Sequence, residues 1–151
     1  MAAPSYDTIL VGVDFSRSSR TALDHAAALA RGLGATLEVV HVVPRMRPSV
    51  PFSEANRRRV AELQRATVAD ARKKLDTWVS RLRNVKARAR VVRGLPHEAL
   101  LAQAKRAKAN MIVVGERGHN LAESLLIGST AERVTRKARR PVLLIPVDGR
   151  S

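Results

Sequence analysis

The sequence contains no cysteine, and this absence excludes thiolate metal sites, redox-active disulfides and cysteine nucleophiles. Its 4 histidines form no His-Glu-x-x-His pattern or comparable pair, so we expect no metal site built from protein ligands. No apolar run approaches the roughly 18 residues of a membrane span. The first residues, Met-Ala-Ala-Pro-Ser-Tyr-Asp, lack the basic and apolar segments of a signal peptide. We therefore expect a cytoplasmic protein with no membrane contact.

Aromatic residues are scarce, at 3% of the chain, and acidic residues are heavily outnumbered. Thirteen Asp and Glu stand against 28 Lys and Arg, which gives a net charge of +15. Proteins that grip single-stranded nucleic acid pair such charge with aromatic stacking platforms. The composition therefore argues against specific nucleic-acid recognition, whereas salt-sensitive, nonspecific binding of polyanions is expected from the charge.

Buried-type strands and amphipathic helices alternate along the chain, which at 151 residues is long enough for a single domain, residues 1–151. The periodicity of hydrophobic residues, together with the turn residues between segments, predicts five strands: Thr8–Val13, Thr36–Val43, Lys86–Val92, one that begins at Met111, and Val142–Val147. They predict helices from an N-cap at Ser16 or Ser18 to Leu33, from Ser53 to Leu82, from His97 or Glu98 to Lys108, and from Ser129. This succession is typical of the α/β class, with one doubly wound, mainly parallel five-stranded sheet and helices on both faces.

A glycine-rich stretch late in the chain has the residues of a phosphate-binding loop. An apolar strand ends in Gly115, Gly118 follows three residues later, and Gly128 precedes the hydroxyls of Ser129 and Thr130. Glycine lets backbone amides approach an anion, and a helix N-terminus presents unpaired N–H groups with partial positive charge. A Walker P-loop is excluded because no lysine follows Gly128. A tight turn and helix cap without any ligand is the alternative interpretation.

The spacing of these three glycines, with Arg117 beside Gly118, resembles the nucleotide-binding signature of the universal stress protein family. The resemblance extends nearly from end to end and is carried by the glycine signature together with Ile9–Ser16, His41-Val42, Gly94-x-Pro96, Met111–Gly115 and Pro141–Ile145. Two positions depart from the family pattern: Asn110 stands where an aspartate is usual, and His119 occupies a position that is often basic.

The resemblance implies a strand order of 3-2-1-4-5 and an adenine-nucleotide site. In ATP-binding members an acid at the position of Asp14 contacts the nucleotide, the residue at Val42 borders the adenine, and the loop glycines admit ribose and phosphates. The positions implied in cofactor binding are Gly12, Val13, Asp14, Val42, Val114, Gly115, Arg117, Gly118, His119, Gly128, Ser129 and Thr130. The implied ligand is ATP, or AMP or ADP, and any Mg²⁺ would arrive with the phosphates. A homodimer through the edge strand Val142–Val147 is also implied.

This strand order predicts where two distant parts of the sequence meet. The order reverses between the Thr8 strand and the Met111 strand, and ligands of doubly wound folds bind beyond the carboxyl ends at that reversal. Asp14 and Gly115 should then face each other across one crevice. Asp14 has the alternative role of capping the next helix. His41, which alternates with apolar neighbours in a strand, is expected to be a core histidine with its hydrogen bonds satisfied.

Three functional hypotheses of different classes follow. The first is an ATP-binding regulatory protein of the stress response, with no catalytic residue assigned. The second is a slow ATPase, or a protein that phosphorylates itself on Ser129 or Thr130; the loop offers no carboxylate base except Glu116 and Glu123. The third is a nucleotide-free basic module that binds nucleic acid or another polyanion.

Overall fold

The computed structural model describes residues 2–46, 53–117 and 127–147. Strands and helices alternate along these ranges as β1 (Thr8–Gly12), α1 (Arg17–Leu33), β2 (Thr36–Val43), α2 (Glu54–Ser80), β3 (Lys86–Arg93), α3 (Pro96–Arg106), β4 (Met111–Gly115), α4 (Ser129–Lys137) and β5 (Val142–Ile145). Within the same ranges, no helix combines the length and the apolar character needed to cross a membrane.

The five strands form one sheet in the order β3-β2-β1-β4-β5, and each strand runs parallel to its neighbours. The α/β class, the doubly wound sheet and its strand order are therefore confirmed. The chain leaves β1 toward one edge through β2 and β3, and then crosses to the other side of β1 to form β4 and β5. The order reverses between β1 and β4, so that the carboxyl ends of these two strands open onto a crevice.

Each face of the sheet has its own apolar core. Alternate residues of β1 point to opposite faces, so Ile9 and Val11 belong to one core and Leu10 to the other. The first core packs against α1 and α2, and the second against α3 and α4. The inner face predicted for α1 is confirmed, because its five apolar members are buried: Ala22, Leu23, Ala26, Ala27 and Ala30.

The two long helices begin at serine caps. Of the two caps considered for α1, Ser16 is the correct one, since its side chain accepts a hydrogen bond from the backbone N–H of Ser19. Ser18 lies inside the first turn and has a different role, described below. Ser53 caps α2 as predicted, by accepting from Asn56 N–H.

Some helices and strands begin or end a few residues away from the predicted positions. Helix α3 begins at Pro96, because proline at the first helical position has no N–H to leave unpaired. It ends at Arg106, and Lys108 has a left-handed φ of 52°. Strand β5 ends at Ile145 rather than Val147, since Pro146 cannot donate to a ladder and Val147 N–H donates instead to Glu116 Oε2 at 3.3 Å.

Asn110 ties the start of β1 to the start of β4. Its Oδ1 accepts from the backbone N–H groups of Asp7 and Thr8, both at 2.9 Å, and its own N–H donates to Thr8 O at 2.8 Å. An aspartate would offer the same acceptor oxygen. The departure from the family pattern at this position thus preserves the contact and removes one negative charge.

Candidate functional site

A cavity of about 480 Å³ lies at the carboxyl ends of β1, β2 and β4, on the crevice predicted from the strand order. This volume falls within the roughly 300–1,000 Å³ of small-molecule sites. Its walls come from the β1–α1 turn, the end of β2, the middle of α2, the start of α3, the end of β4 and the start of α4.

Ten of the twelve residues predicted from the sequence lie around this one cavity: Gly12, Val13, Asp14, Val42, Val114, Gly115, Arg117, Gly128, Ser129 and Thr130. The remaining two, Gly118 and His119, lie outside the described residues. Asp14 and Gly115, about 100 residues apart in the chain, line the same space. The convergence of these two segments is therefore confirmed.

Asp14 supplies the acidic group of the cavity and also shapes the turn that follows β1. Its Oδ1 accepts from Ser16 N–H at 3.0 Å, and its own N–H donates to Ser19 Oγ at 3.2 Å. Phe15, between them, has a left-handed φ of 64°, which is unfavourable for a bulky residue. The capping role considered for Asp14 belongs to Ser16, while Asp14 stabilises the preceding turn.

Arg117 supplies a cation to the same cavity. Its backbone N–H donates to Ser18 Oγ at 3.4 Å, which holds the residue against the first turn of α1. The Nε atom of its side chain is buried, and it has no hydrogen-bond partner among the described residues. A buried guanidinium N–H requires an acceptor, and no described residue supplies one.

Helix α4 points its N-terminus into the cavity. The helix begins at Ser129, and no side chain of the described residues caps it. Gly128 N–H donates to Glu116 O at 2.7 Å, which fixes the helix start beside the end of β4. The first amides of α4 and the hydroxyls of Ser129 and Thr130 thus lie at the cavity with the partial positive charge of a helix N-terminus.

The glycines of the site serve different purposes. A Cβ on Gly115 would lie 2.5 Å from Ser18 Oγ and 3.0 Å from Ser18 O, so glycine is required there for α1 to approach β4. At Gly12 a Cβ would meet the flexible end of Leu100 at 2.9 Å. Gly128 has a φ of −58°, which any residue adopts. The structure gives Gly115 a packing role that the sequence interpretation, based on ligand access, missed.

Part of the cavity wall was not predicted. Thr67 of α2 and Leu100 of α3 both line the cavity. Gln64, which is buried, brings α2 into position: its Oε1 accepts from Met46 N–H at 2.8 Å and its Nε2 donates to Pro44 O at 3.3 Å. A polar residue on the inner side of an otherwise exposed helical stretch was the available signal for this clamp.

His41 also lines the cavity and is held by contacts with the β1–α1 turn. Its Nδ1 lies 2.8 Å from Val13 O, and its ring centroid lies 4.4 Å from that of Phe15. Phe15 in turn meets Trp78 edge-on, with ring centroids 5.3 Å apart. The hydrogen bond of Nδ1 agrees with the expectation of a satisfied histidine, whereas the expected core position was wrong, because His41 is only partly buried and lines the cavity.

Carboxylates are sparse around the cavity. Asp14 is the one carboxylate among the lining residues that the structure describes. Glu116 does not line the cavity, and its Oε2 accepts from Val147 N–H, beyond the end of β5. Glu123, the other candidate base, lies outside the described residues. Over the described ranges no cluster of three or more His, Asp or Glu side chains is arranged to hold a metal ion.

Residues 5–146 match the model of the universal stress protein family. The chain belongs to this family. A universal stress protein of Thermus aquaticus is 37% identical over 143 residues, which cover 93% of this chain and 98% of the relative. The resemblance inferred from the glycine spacing is thereby confirmed.

Solved universal stress proteins share the fold and include nucleotide complexes. The protein from Archaeoglobus fulgidus in complex with dAMP is 26% identical, has a TM-score of 0.66, and the match covers 93% of this chain and 98% of that one. A universal stress protein in complex with cAMP is 25% identical, has a TM-score of 0.62, and the match covers 93% and 97% of the two chains. Two structural neighbours of this universal stress protein thus hold adenine nucleotides.

Proposed function

We propose that this universal stress protein is a cytoplasmic regulatory protein of the stress response that binds an adenine nucleotide, ATP, ADP or AMP, in the cavity between β1 and β4. One observation carries the proposal: Arg117, whose buried Nε has no hydrogen-bond partner among the described residues, lines the same cavity as the N-terminus of α4, which no described side chain caps. A phosphate group satisfies both sets of donors at once.

The lining residues divide into groups suited to the parts of a nucleotide. Arg117, the first amides of α4 and the hydroxyls of Ser129 and Thr130 are donors for phosphate oxygens. The Asp14 carboxylate is an acceptor for ribose hydroxyls. The end of β2, including Val42, is an apolar wall for the base. The dAMP and cAMP complexes of the structural neighbours support the same ligand class.

The nucleotide in this proposal is a bound signal and not a substrate. Hydrolysis needs a group that orients water and a charge that stabilises the transferring phosphoryl group. Arg117 supplies charge, but Asp14 is assigned to the ribose and Glu116 is directed to Val147 N–H. We therefore expect turnover near background, with any Mg²⁺ held by the phosphates.

We further propose a homodimer built through β5. Pro141 O accepts from Ile112 N–H, and Ile145 O accepts from Glu116 N–H. Successive residues of a strand direct their backbone groups to opposite sides, so the N–H and C=O groups of Val142 and Leu144 point away from β4. An apolar edge strand with unpaired N–H and C=O groups is a template for pairing with a second copy.

Isothermal titration with ATP tests the nucleotide site. Arg117→Gln removes the positive charge but retains a polar side chain. Arg83→Gln is the matched control, because Arg83 is exposed and precedes β3 at the opposite end of the sheet. A hydrogen bond to a charged group contributes about 1.5–3 kcal/mol to the binding free energy. Arg117→Gln should therefore weaken ATP binding roughly tenfold or more, while Arg83→Gln leaves it unchanged. Adenosine should bind both variants alike. Absence of ATP binding by the unaltered protein, or equal affinities in the two variants, would refute the proposal.

A further inference from the structure

Edge strand β3 presents a row of basic side chains. Its residues alternate between two faces, and Ala87, Ala89 and Val91 pack against the core beneath α2. Lys86, Arg88 and Arg90 therefore lie on the opposite face, and all three are exposed. Side chains at every second position of a strand are about 6.6 Å apart, so this basic stripe, Lys86, Arg88 and Arg90, is a straight line of positive charges.

The helices on that side of the sheet leave the basic stripe open. The core beneath α3 and α4 is built on β1, β2 and β4, and the only β3 residue packed against it in the described ranges is Val92, near the end of the strand. Helix α3 runs back toward the beginning of the strands, so that the exposed Lys105 and Lys108 lie at the same end of the sheet as Lys86. Charge from two elements thus accumulates at one end of an uncovered face.

Little negative charge offsets the stripe. Glu38 of β2 lies in register with Arg88 and has only 3% of its side chain exposed. It holds Arg90 by a contact of 3.1 Å between Oε1 and Nε, while 53% of the Arg90 side chain stays exposed. Neither Lys86 nor Arg88 forms an ion pair within the part of the chain that the structure describes.

Two features decide what kind of polyanion fits this surface. The outer edge of β3 is obstructed, because Arg72 Nη1 donates to Ala89 O at 3.3 Å, and an acidic peptide adding as a further strand would have to displace it. Strand β3 and helix α3 contain no Phe, Tyr or Trp, and the ring of His97 is buried, so these two elements offer no platform for stacking bases. A nucleic-acid backbone needs neither a free strand edge nor a stacking platform, because its evenly spaced phosphates contact the basic side chains directly.

We propose that the basic stripe binds the sugar-phosphate backbone of nucleic acid, independently of base sequence. Guanidinium and ammonium groups contact successive phosphates along one strand, and binding is driven by release of counterions. Lys86 and Arg88 lie in the first half of β3, away from the carboxyl ends of the strands where the nucleotide cavity lies, whereas Arg90 is in register with the lining residue Val40. Contacts through Lys86 and Arg88 therefore leave the nucleotide cavity accessible.

Fluorescence anisotropy with a labelled mixed-sequence 30-mer, single-stranded and as a duplex, tests this proposal. The double variant Lys86→Ala/Arg88→Ala should bind the single strand about tenfold more weakly at low salt and lower the slope of log K against log salt by about 1.4. The control Arg57→Ala/Arg59→Ala removes the same charge from exposed positions on α2 and should change affinity less than about twofold. Glu38→Gln, which releases Arg90, should strengthen binding.

Equal losses in the two double variants would overturn the proposal, because binding would then depend on total charge alone. Displacement of the oligonucleotide by poly-glutamate at equal charge concentration would overturn it as well, since any acidic chain would then suffice. ATP titrations of the same variants separate this result from the nucleotide site, which should be unaffected in all of them.

Discussion

Gly115 and Ser18 lie in direct contact, and a Cβ on Gly115 would stand 2.5 Å from Ser18 Oγ. The same Oγ accepts from Arg117 N–H at 3.4 Å. One small side chain in the first turn of α1 therefore sets both the approach of α1 to the end of β4 and the position of the cation that lines the cavity.

Gly115→Ala should destabilise the protein. The new methyl group would press against both the side chain and the backbone carbonyl of Ser18, and backbone atoms cannot move aside cheaply. Overpacking of this kind costs about 1–3 kcal/mol, which urea denaturation measures as a lower midpoint.

Gly32→Ala is the matched control, since Gly32 lies in α1, no atom stands within 4 Å of the place its Cβ would take, and alanine favours helix. That variant should be as stable as the unaltered protein, or more stable by about 0.5–1 kcal/mol. Equal stability of the two variants would show that the contact with Ser18 is not tight.

The Gly115 contact marks one limit of what the sequence predicts. The periodicity of hydrophobic residues and the positions of turn residues predict every strand and helix to within a few residues. They do so because burial of one face determines the hydrophobic pattern of each element. The strand order came from the family resemblance and not from the residues alone. The packing of Gly115 on Ser18 joins positions far apart in the chain, and no local pattern encodes such a distance.

Asn110→Ala should also destabilise the protein, because two backbone N–H groups, those of Asp7 and Thr8, would lose their acceptor. A loss of about 1–2 kcal/mol is expected in urea denaturation. Asn110→Asp keeps the acceptor oxygen and should retain most of the stability. If alanine and aspartate were equally damaging, the hydrogen bonds of Oδ1 would not be the reason for the residue.

Arg90→Ala should cost more stability than Arg88→Ala, although the two arginines are near neighbours on one face of β3. Arg90 compensates the buried Glu38 carboxylate, whereas Arg88 has no ion pair among the described residues. Because Arg90 is half exposed, solvent screening limits the difference to about 1–2 kcal/mol. The double variant Arg90→Ala/Glu38→Gln should recover part of the loss in the same denaturation assay, and no recovery would contradict the pairing.

The proposed dimer predicts a native mass of twice the 16.5 kDa of one chain by light scattering. Leu144→Pro removes an outward-facing N–H without taking a donor from the β4 ladder, and it should shift the protein toward monomer. A monomeric unaltered protein would contradict the proposed dimer, and a Leu144→Pro variant that remains a dimer would show that the interface is not built through β5.

The sequence predicted the parts of the candidate site that short local motifs define. It did not predict the part of the cavity wall that comes from α2. Glycines and hydroxyls beside a strand end indicate a phosphate site from the sequence alone. Thr67 lines the cavity from α2, and Gln64 of the same helix is hydrogen-bonded to Met46 and Pro44 in the segment after β2. That clamp depends on the length and direction of α2, which hydrophobic period does not specify.

A crystal structure of the protein grown with ATP tests the central claim most directly. We predict a nucleotide in the cavity, with its phosphates within hydrogen-bonding distance of Arg117 and the first amides of α4, and with Asp14 facing the ribose. A cavity that holds only solvent at saturating ATP, or a nucleotide bound at another surface, would contradict the account.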